Sequence, residues 1–206
     1  PGSEEAALFE RFSCIIEGSA GEYETIVFDT APTAQTLRLL SLPELMTAWI
    51  TGLIGRRKKL NVLSRMWRNV AGAAAGDDTR GNDPVLAILE QRQGRFQRAR
   101  QVLTDPNKTA FMFVVTPERL PIAETERAVA MLEKYGIPVG AVFVNRVLPS
   151  GVAGEFLDRR RAQETEYLGQ IEQVLGSYPL YRIPLMDRDV VGVDALSQLS
   201  VTRWRD

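Results

Sequence analysis

The sequence predicts an α/β protein whose mostly parallel sheet carries an inserted helical subdomain, and three observations support this. Four short runs are rich in β-formers and nearly continuously apolar, namely "YETIVFD" (23–29), "TAFMFVVT" (109–116), "VGAVFVN" (139–145) and, less cleanly, "YPLYRIPL" (178–185). Strands buried on both faces have this character. Between the second and third runs lies "ETERAVAMLEKYG" (124–136), a helical pattern that supplies the crossover required by parallel neighbours. From Thr30 to Lys108 no convincing strand occurs, although a crossover needs only about a dozen residues, so an insertion is implied.

Taken in order, the elements begin with a helix over 4–16, where Ala7, Leu8, Phe12, Ile15 and Ile16 recur at helical spacing and Gly18 stops the pattern. The strand 23–29 follows. Helices are predicted over 33–40, 43–54, 57–75 and 84–103, with "GDDTRGND" (76–83) as a polar break. Asp83 before Pro84 is a helix start, an N-cap followed by proline at the first helical position. The strand, helix and strand of the βαβ unit come next, and the fourth run closes the sheet. Residues 1–32 and 105–206 then make the α/β core, and 33–104 the helical subdomain.

Composition narrows the function. The 206 residues are 45% apolar, enough to bury a core. Lys and Arg number 25 against 26 acidic residues, a net charge of −1, so no global field attracts nucleic acid. A single cysteine, Cys14, allows no internal disulfide, which fits a reducing, cytoplasmic compartment. No apolar run approaches the ~20 residues that span a bilayer, so any membrane association is expected to be peripheral. The absence of histidine excludes histidine bases, ligands and triads.

Ligands of open α/β sheets bind beyond the carboxyl ends of the strands, and Asp29, Thr116 and Asn145 occupy such ends. An apolar strand ending in Asp29, followed by Thr30, Pro32 and Thr33, suits a carboxylate that meets a hydrated magnesium ion on nucleotide phosphates. Taken by itself, such a strand end is more commonly a carboxylate that caps the following turn or helix. In the insert, Leu45, Met46, Trp49, Ile50 and Leu53 share one apolar stripe, and Met66 and Trp67 belong to another. Such faces pack on neighbouring helices or receive a hydrophobic client helix. The basic run Arg56 to Lys59 suits an anionic surface or a solvated face.

"YETIVFDTAPTAQTLRLLSLPE" (23–44) resembles the switch II segment of the ArsA family of P-loop ATPases, which includes arsenite-pump ATPases and ATPases that target tail-anchored membrane proteins. Asp29 to Thr33, Thr36 to Leu40 and Leu42 to Glu44 match the family string. "VVTPERLPIAETERAVAMLEKYGIPVGAVFVNRVLP" (114–149) and "IPLMDRDVVGVDALSQL" (183–199) resemble two later family stretches, and the opening "PGSEEA" a third. The resemblance implies a P-loop type sheet and a magnesium-ATP hydrolase. It also implies a client or membrane-protein partner and a homodimer or complementing segment. Asp29 would be the switch II carboxylate bonded through water to Mg2+, with Thr30, Pro32 and Thr33 in the moving turn. Asn145 would recognise the adenine edge, and Pro184, Leu185 and Met186 would pack on the base.

Two departures qualify those implications. Ala34 and Gln35 stand where the family has Gly-His, and Gln35 cannot titrate as imidazole does. No GxxxxGK[ST] phosphate loop occurs in these 206 residues, and "GLIGRRKK" (52–59) has the wrong spacing. The resemblance therefore places the chain in the later part of the family sequence. ATP hydrolysis by this chain alone is not expected, because the loop supplies the N–H cradle and the lysine for the phosphates. A hydrophobic-helix targeting module and a scaffold with a vestigial nucleotide site remain alternatives. Cys14 alone builds no three-thiolate arsenic site, and no CxxC is present for a zinc clasp. A sheet without its phosphate-loop strand is expected to expose an edge and to associate.

Overall fold

The computed structural model describes residues 3–18, 21–30, 47–63, 66, 83–151 and 154–204. They fall in two compact units, Pro1–Val102 and Leu103–Asp206, each taken by itself.

The first unit contains α1 (Ser3–Gly18), α2 (47–63) and α3 (Pro84–Leu103). Phe9 of α1 meets Phe96 of α3 edge-on, with ring centroids 5.2 Å apart. Ile50, Ile54 and Ala99 are buried as well. The sequence predicts two helices here, 43–54 and 57–75, but α2 runs unbroken through Gly52 and Gly55. A helical glycine costs about 1 kcal/mol, and burying Ile50 and Ile54 returns more than that. Asp83 caps α3 as the sequence predicts, its carboxylate accepting the Val85 and Leu86 amides at 3.2 and 3.4 Å. The same carboxylate accepts from Arg57 Nε at 2.7 Å and Asn61 Nδ2 at 3.0 Å, which ties α2 to the start of α3.

The predicted strand 23–29 is not a strand. Residues 25–30 form no ladder, and Val27 is 86% exposed. Phe28 instead packs on Phe12 of α1, with centroids 4.6 Å apart. The physical reason is that β propensity measures fit on a pleated surface, and among the described residues no strand pairs with 25–30 to provide one.

The second unit runs β1 (Phe111–Val115), α4 (Arg119–Lys134), β2 (Val139–Val147), α5 (Glu155–Leu175), β3 (Leu180–Pro184), α6 (Gly192–Ser197) and β4 (Thr202–Arg203). The sheet order is β1-β2-β3-β4, with β1, β2 and β3 parallel and β4 antiparallel to β3. The mostly parallel α/β sheet is thus present, with strands close to the predicted 109–116, 139–145 and 178–185. One sheet face carries Phe113, Val115, Val142 and Val144, all buried. Ile122, Ala128, Val129 and Leu132 of α4 are buried with them, as are Ile171 and Leu175 of α5. Opposite residues point away, so Met112 and Val114 of the edge strand β1 are exposed.

Two bulges shape β2. Phe111 pairs with Val139 and Met112 with Ala141, leaving Gly140 as the extra residue. A Cβ on Gly140 would lie 2.8 Å from the Ala110 Cβ, so only glycine fits there. The second bulge adds one residue between Val144 and Val147, opposite Arg182 and Pro184.

Candidate functional site

The carboxyl ends of β2 and β3 lie side by side, and the second bulge determines how they meet. Arg146 sits within it at φ 61°, the one left-handed non-glycine residue among the described residues. Its amide donates to Asn145 Oδ1 at 2.8 Å. Past the bulge, Val147 O accepts the Leu185 amide at 2.8 Å. This bond continues the β2–β3 pairing past the bulge, so the half-buried Asn145 and the 184–186 segment both stand at the carboxyl ends of neighbouring strands. On the same strands Phe143 and Tyr181 stack at 5.1 Å, below the carboxyl ends.

The loop after β2 is held by α5. Glu164, a buried carboxylate, accepts the Leu148 amide with both oxygens, at 3.0 and 3.3 Å. Arg161 Nη2 donates to Pro149 O at 3.0 Å. Residues three apart share a helix face, so α5 presents an acceptor and a donor to two nearby peptide groups of one loop. Arg146, Arg161 and Glu164 were absent from the sequence-based set. The spacing of Arg161 and Glu164 is visible in sequence, but nothing there distinguishes it from an ordinary solvated pair. The end of β1 contributes Thr116, half-buried, whose carbonyl accepts the Glu118 amide at 2.8 Å.

In the first unit, Asp29 and Thr30 are exposed directly after Phe28, which is anchored on Phe12. Among the described residues, none of the salt bridges involves the Asp29 carboxylate. No three His, Cys, Asp or Glu side chains cluster as a metal site among the described residues. Pro32 and Thr33 lie outside the described residues, as do Leu45, Met46 and Trp67.

The apolar stripe of α2 divides. Trp49 is 60% exposed and Met66 is exposed, whereas Leu53 is half-buried and Ile50 is only 1% exposed. Ile50 is a core residue of its unit. The basic run is partly engaged, with Arg57 on Asp83 at 2.7 Å and Lys58 on Glu90 at 3.0 Å. Arg57 and Asn61 hold the Asp83 carboxyl well below the usual carboxylate range. No helix among the described residues is long and apolar enough to cross a membrane.

Comparison with known proteins adds an independent finding. The family model described as "Anion-transporting ATPase" matches residues 1–202. An Aquifex aeolicus (strain VF5) protein carrying "arsenical pump-driving ATPase 2" in its name is 32% identical over 200 residues, covering 97% of this chain and 63% of that protein. "ATPase ARSA1" of Chlamydomonas reinhardtii is 32% identical over 212 residues, covering 100% of this chain and 27% of its own length. "ATPase GET3A" of Arabidopsis thaliana is 31% identical over 202 residues, covering 97% and 56%. The chain thus spans less than two thirds of the length of each of these relatives.

Proposed function

The chain belongs to the ArsA family of anion-transporting ATPases, and on that premise we propose that it forms the adenine-side and sensor part of a magnesium-ATP hydrolase. The observation that carries this reading is that Asn145 and the 184–186 segment stand at the carboxyl ends of two neighbouring parallel strands. An amide that offers both donor and acceptor suits the edge of a base, and the apolar Pro184, Leu185 and Met186 suit its face.

In this reading residues 1–32 and 105–206 make the nucleotide-binding core, and 33–104 the inserted subdomain. Asp29 accepts hydrogen bonds from water held on the phosphate-bound cation, and Thr30, Pro32 and Thr33 form the turn that moves with phosphate state. Mg2+ supplies charge neutralisation of the phosphates when bound. The N–H cradle for the phosphates comes from residues other than these 206. Hydrolysis therefore belongs to an assembly that adds a phosphate loop.

The test is nucleotide binding followed by site variants. Titration of ATP into the chain with Mg2+ is expected to show binding that Asn145→Ala weakens by about tenfold, the worth of one charged or paired base hydrogen bond. Unchanged affinity in that variant would remove the base assignment. In an assembly with the phosphate loop, Asp29→Asn should abolish turnover while leaving ATP binding largely intact.

A second reading concerns the partner. The exposed Trp49 of α2, and the exposed Met66 beyond it, support an apolar surface that receives a hydrophobic helix. Trp49→Asp with Leu53→Asp should then eliminate binding of such a helix. Retention of a fluorescent hydrophobic-helix peptide by the double variant would count against this surface.

A further inference from the structure

Glu164 is 6% exposed, and the nucleotide reading gives it no task. A buried carboxylate is costly unless its oxygens are engaged, and here both converge on one backbone donor, the Leu148 amide. The consequence of that bond lies in what Leu148 adjoins. Two residues earlier is Arg146 at φ 61°, in the bulge that separates Val144 from Val147. A side-chain-bearing residue keeps a left-handed conformation only where its surroundings over-determine it. Three bonds do so here, from the Leu148 amide to the Glu164 carboxylate, from Arg161 to Pro149 O and from the Leu185 amide to Val147 O. Within the bulge the Arg146 amide engages Asn145 Oδ1 at 2.8 Å, so the bulge determines how the Asn145 amide is turned.

We propose that Glu164 is a positioning residue for base recognition: by gripping the Leu148 amide it maintains the strained bulge that orients Asn145. This rests on the reading of Asn145 as a base contact. Glu164 itself touches no ligand. It acts through the peptide of Leu148 and the turn at Arg146, and so governs both affinity for the nucleotide and the preference for one base over another.

The test uses the 15N-labelled chain, titrated with Mg-ATP and separately with Mg-GTP, following the Asn145 side-chain amide resonance. Thermal unfolding is recorded for every variant. Glu164→Ala is expected to weaken ATP by about tenfold, the equivalent of one lost charged hydrogen bond, and to narrow the ratio of ATP to GTP affinity. Glu164→Gln keeps an acceptor for the Leu148 amide and should stay within about twofold of the parent. Should the alanine variant not fold, Glu164→Asp, which retains the charge but shortens its reach, should still weaken ATP by about threefold. Parent-like affinity and base preference in Glu164→Ala, or in Glu164→Asp if that is the folded variant, would overturn the proposal. So would a Glu164→Gln variant as defective as alanine at equal thermal stability. Asn145→Ala separates the two levels. If it leaves ATP binding unchanged, the base reading fails and takes this proposal with it; if it weakens ATP while Glu164→Ala does not, only the positioning role fails.

Discussion

Arg146 holds a conformation that costs an ordinary residue about 1–2 kcal/mol and a β-branched one more. Arg146→Val should therefore lower the unfolding free energy by about 1–2 kcal/mol, whereas Arg146→Gly should not lower it, because relief of strain offsets the added backbone entropy. Chemical denaturation of the two variants decides this. Gly140 is the opposite case, since the space for a side chain is missing rather than the conformation. Gly140→Ala drives a Cβ to 2.8 Å from the Ala110 Cβ and should cost about 1–3 kcal/mol by the same measurement. Asp83 makes a prediction about pH. Its carboxyl is held below the ordinary range chiefly by the Arg57 hydrogen bond, then by Asn61. A depressed folded-state value means that its contribution is complete above about pH 4, where the unfolded carboxylate is charged, and disappears as pH falls further. Asp83→Asn should lower the melting temperature near pH 7 and lose the Asp83 part of the decline below pH 4, followed by circular dichroism. Asp29 and Asn145 were legible as candidates in the sequence because their position after an apolar run is local. Glu164 was not, because its partner is a peptide group sixteen positions away in the chain.

At the scale of elements, α1 and α3 are joined by two kinds of contact whose magnitudes differ. Glu10 pairs with Arg92 and Arg95 at 3.4 and 3.7 Å, and Glu17 with Arg95 and Arg98 at 3.2 and 2.7 Å. Such pairs are partly solvated and contribute about 0.2–1 kcal/mol each. The Phe9–Phe96 contact is buried, and Phe96→Ala should cost about 3–5 kcal/mol. Aromatic packing therefore decides this helix pair. Denaturation at 0.1 and 1 M NaCl should show Glu17→Gln losing at most about 1 kcal/mol at low salt and less at high salt, with Phe96→Ala unchanged by salt. The same hierarchy explains which elements were legible. The first helix, the Asp83 start of α3 and the βαβ unit carry strong apolar spacing or capping residues, and they form. The helix α5 was not assigned from sequence, because its buried residues are few (Glu164, Ile171 and Leu175) and charges dominate its surface. The run 23–29 has strand composition, yet among the described residues 25–30 find no ladder partner that would make it one.

At the scale of the whole molecule, β1 is the terminal strand of the second unit's sheet among the described residues. Val114 on that strand is 64% exposed and Met112 accompanies it. An unblunted edge with apolar side chains templates further pairing. The chain is expected to self-associate as concentration rises, and Val114→Lys should shift sedimentation toward monomer without loss of fold. Concentration-independent monomer behaviour of the parent chain would contradict this. By itself the sequence determined the class of sheet, the family, the approximate span of three of its strands and the candidate residues at their carboxyl ends. Those properties follow from local patterning, since alternation, apolar runs and capping residues act over a few positions. Tertiary structure alone decided that Ile50 is core while Trp49 is surface, and that 25–30 is not part of a ladder. It also decided that a buried glutamate on a polar helix grips the loop beside Asn145. The physical reason is common to all three. Burial, ladder pairing and the satisfaction of a buried charge are set by groups distant in the chain, and no local pattern specifies which of them will meet.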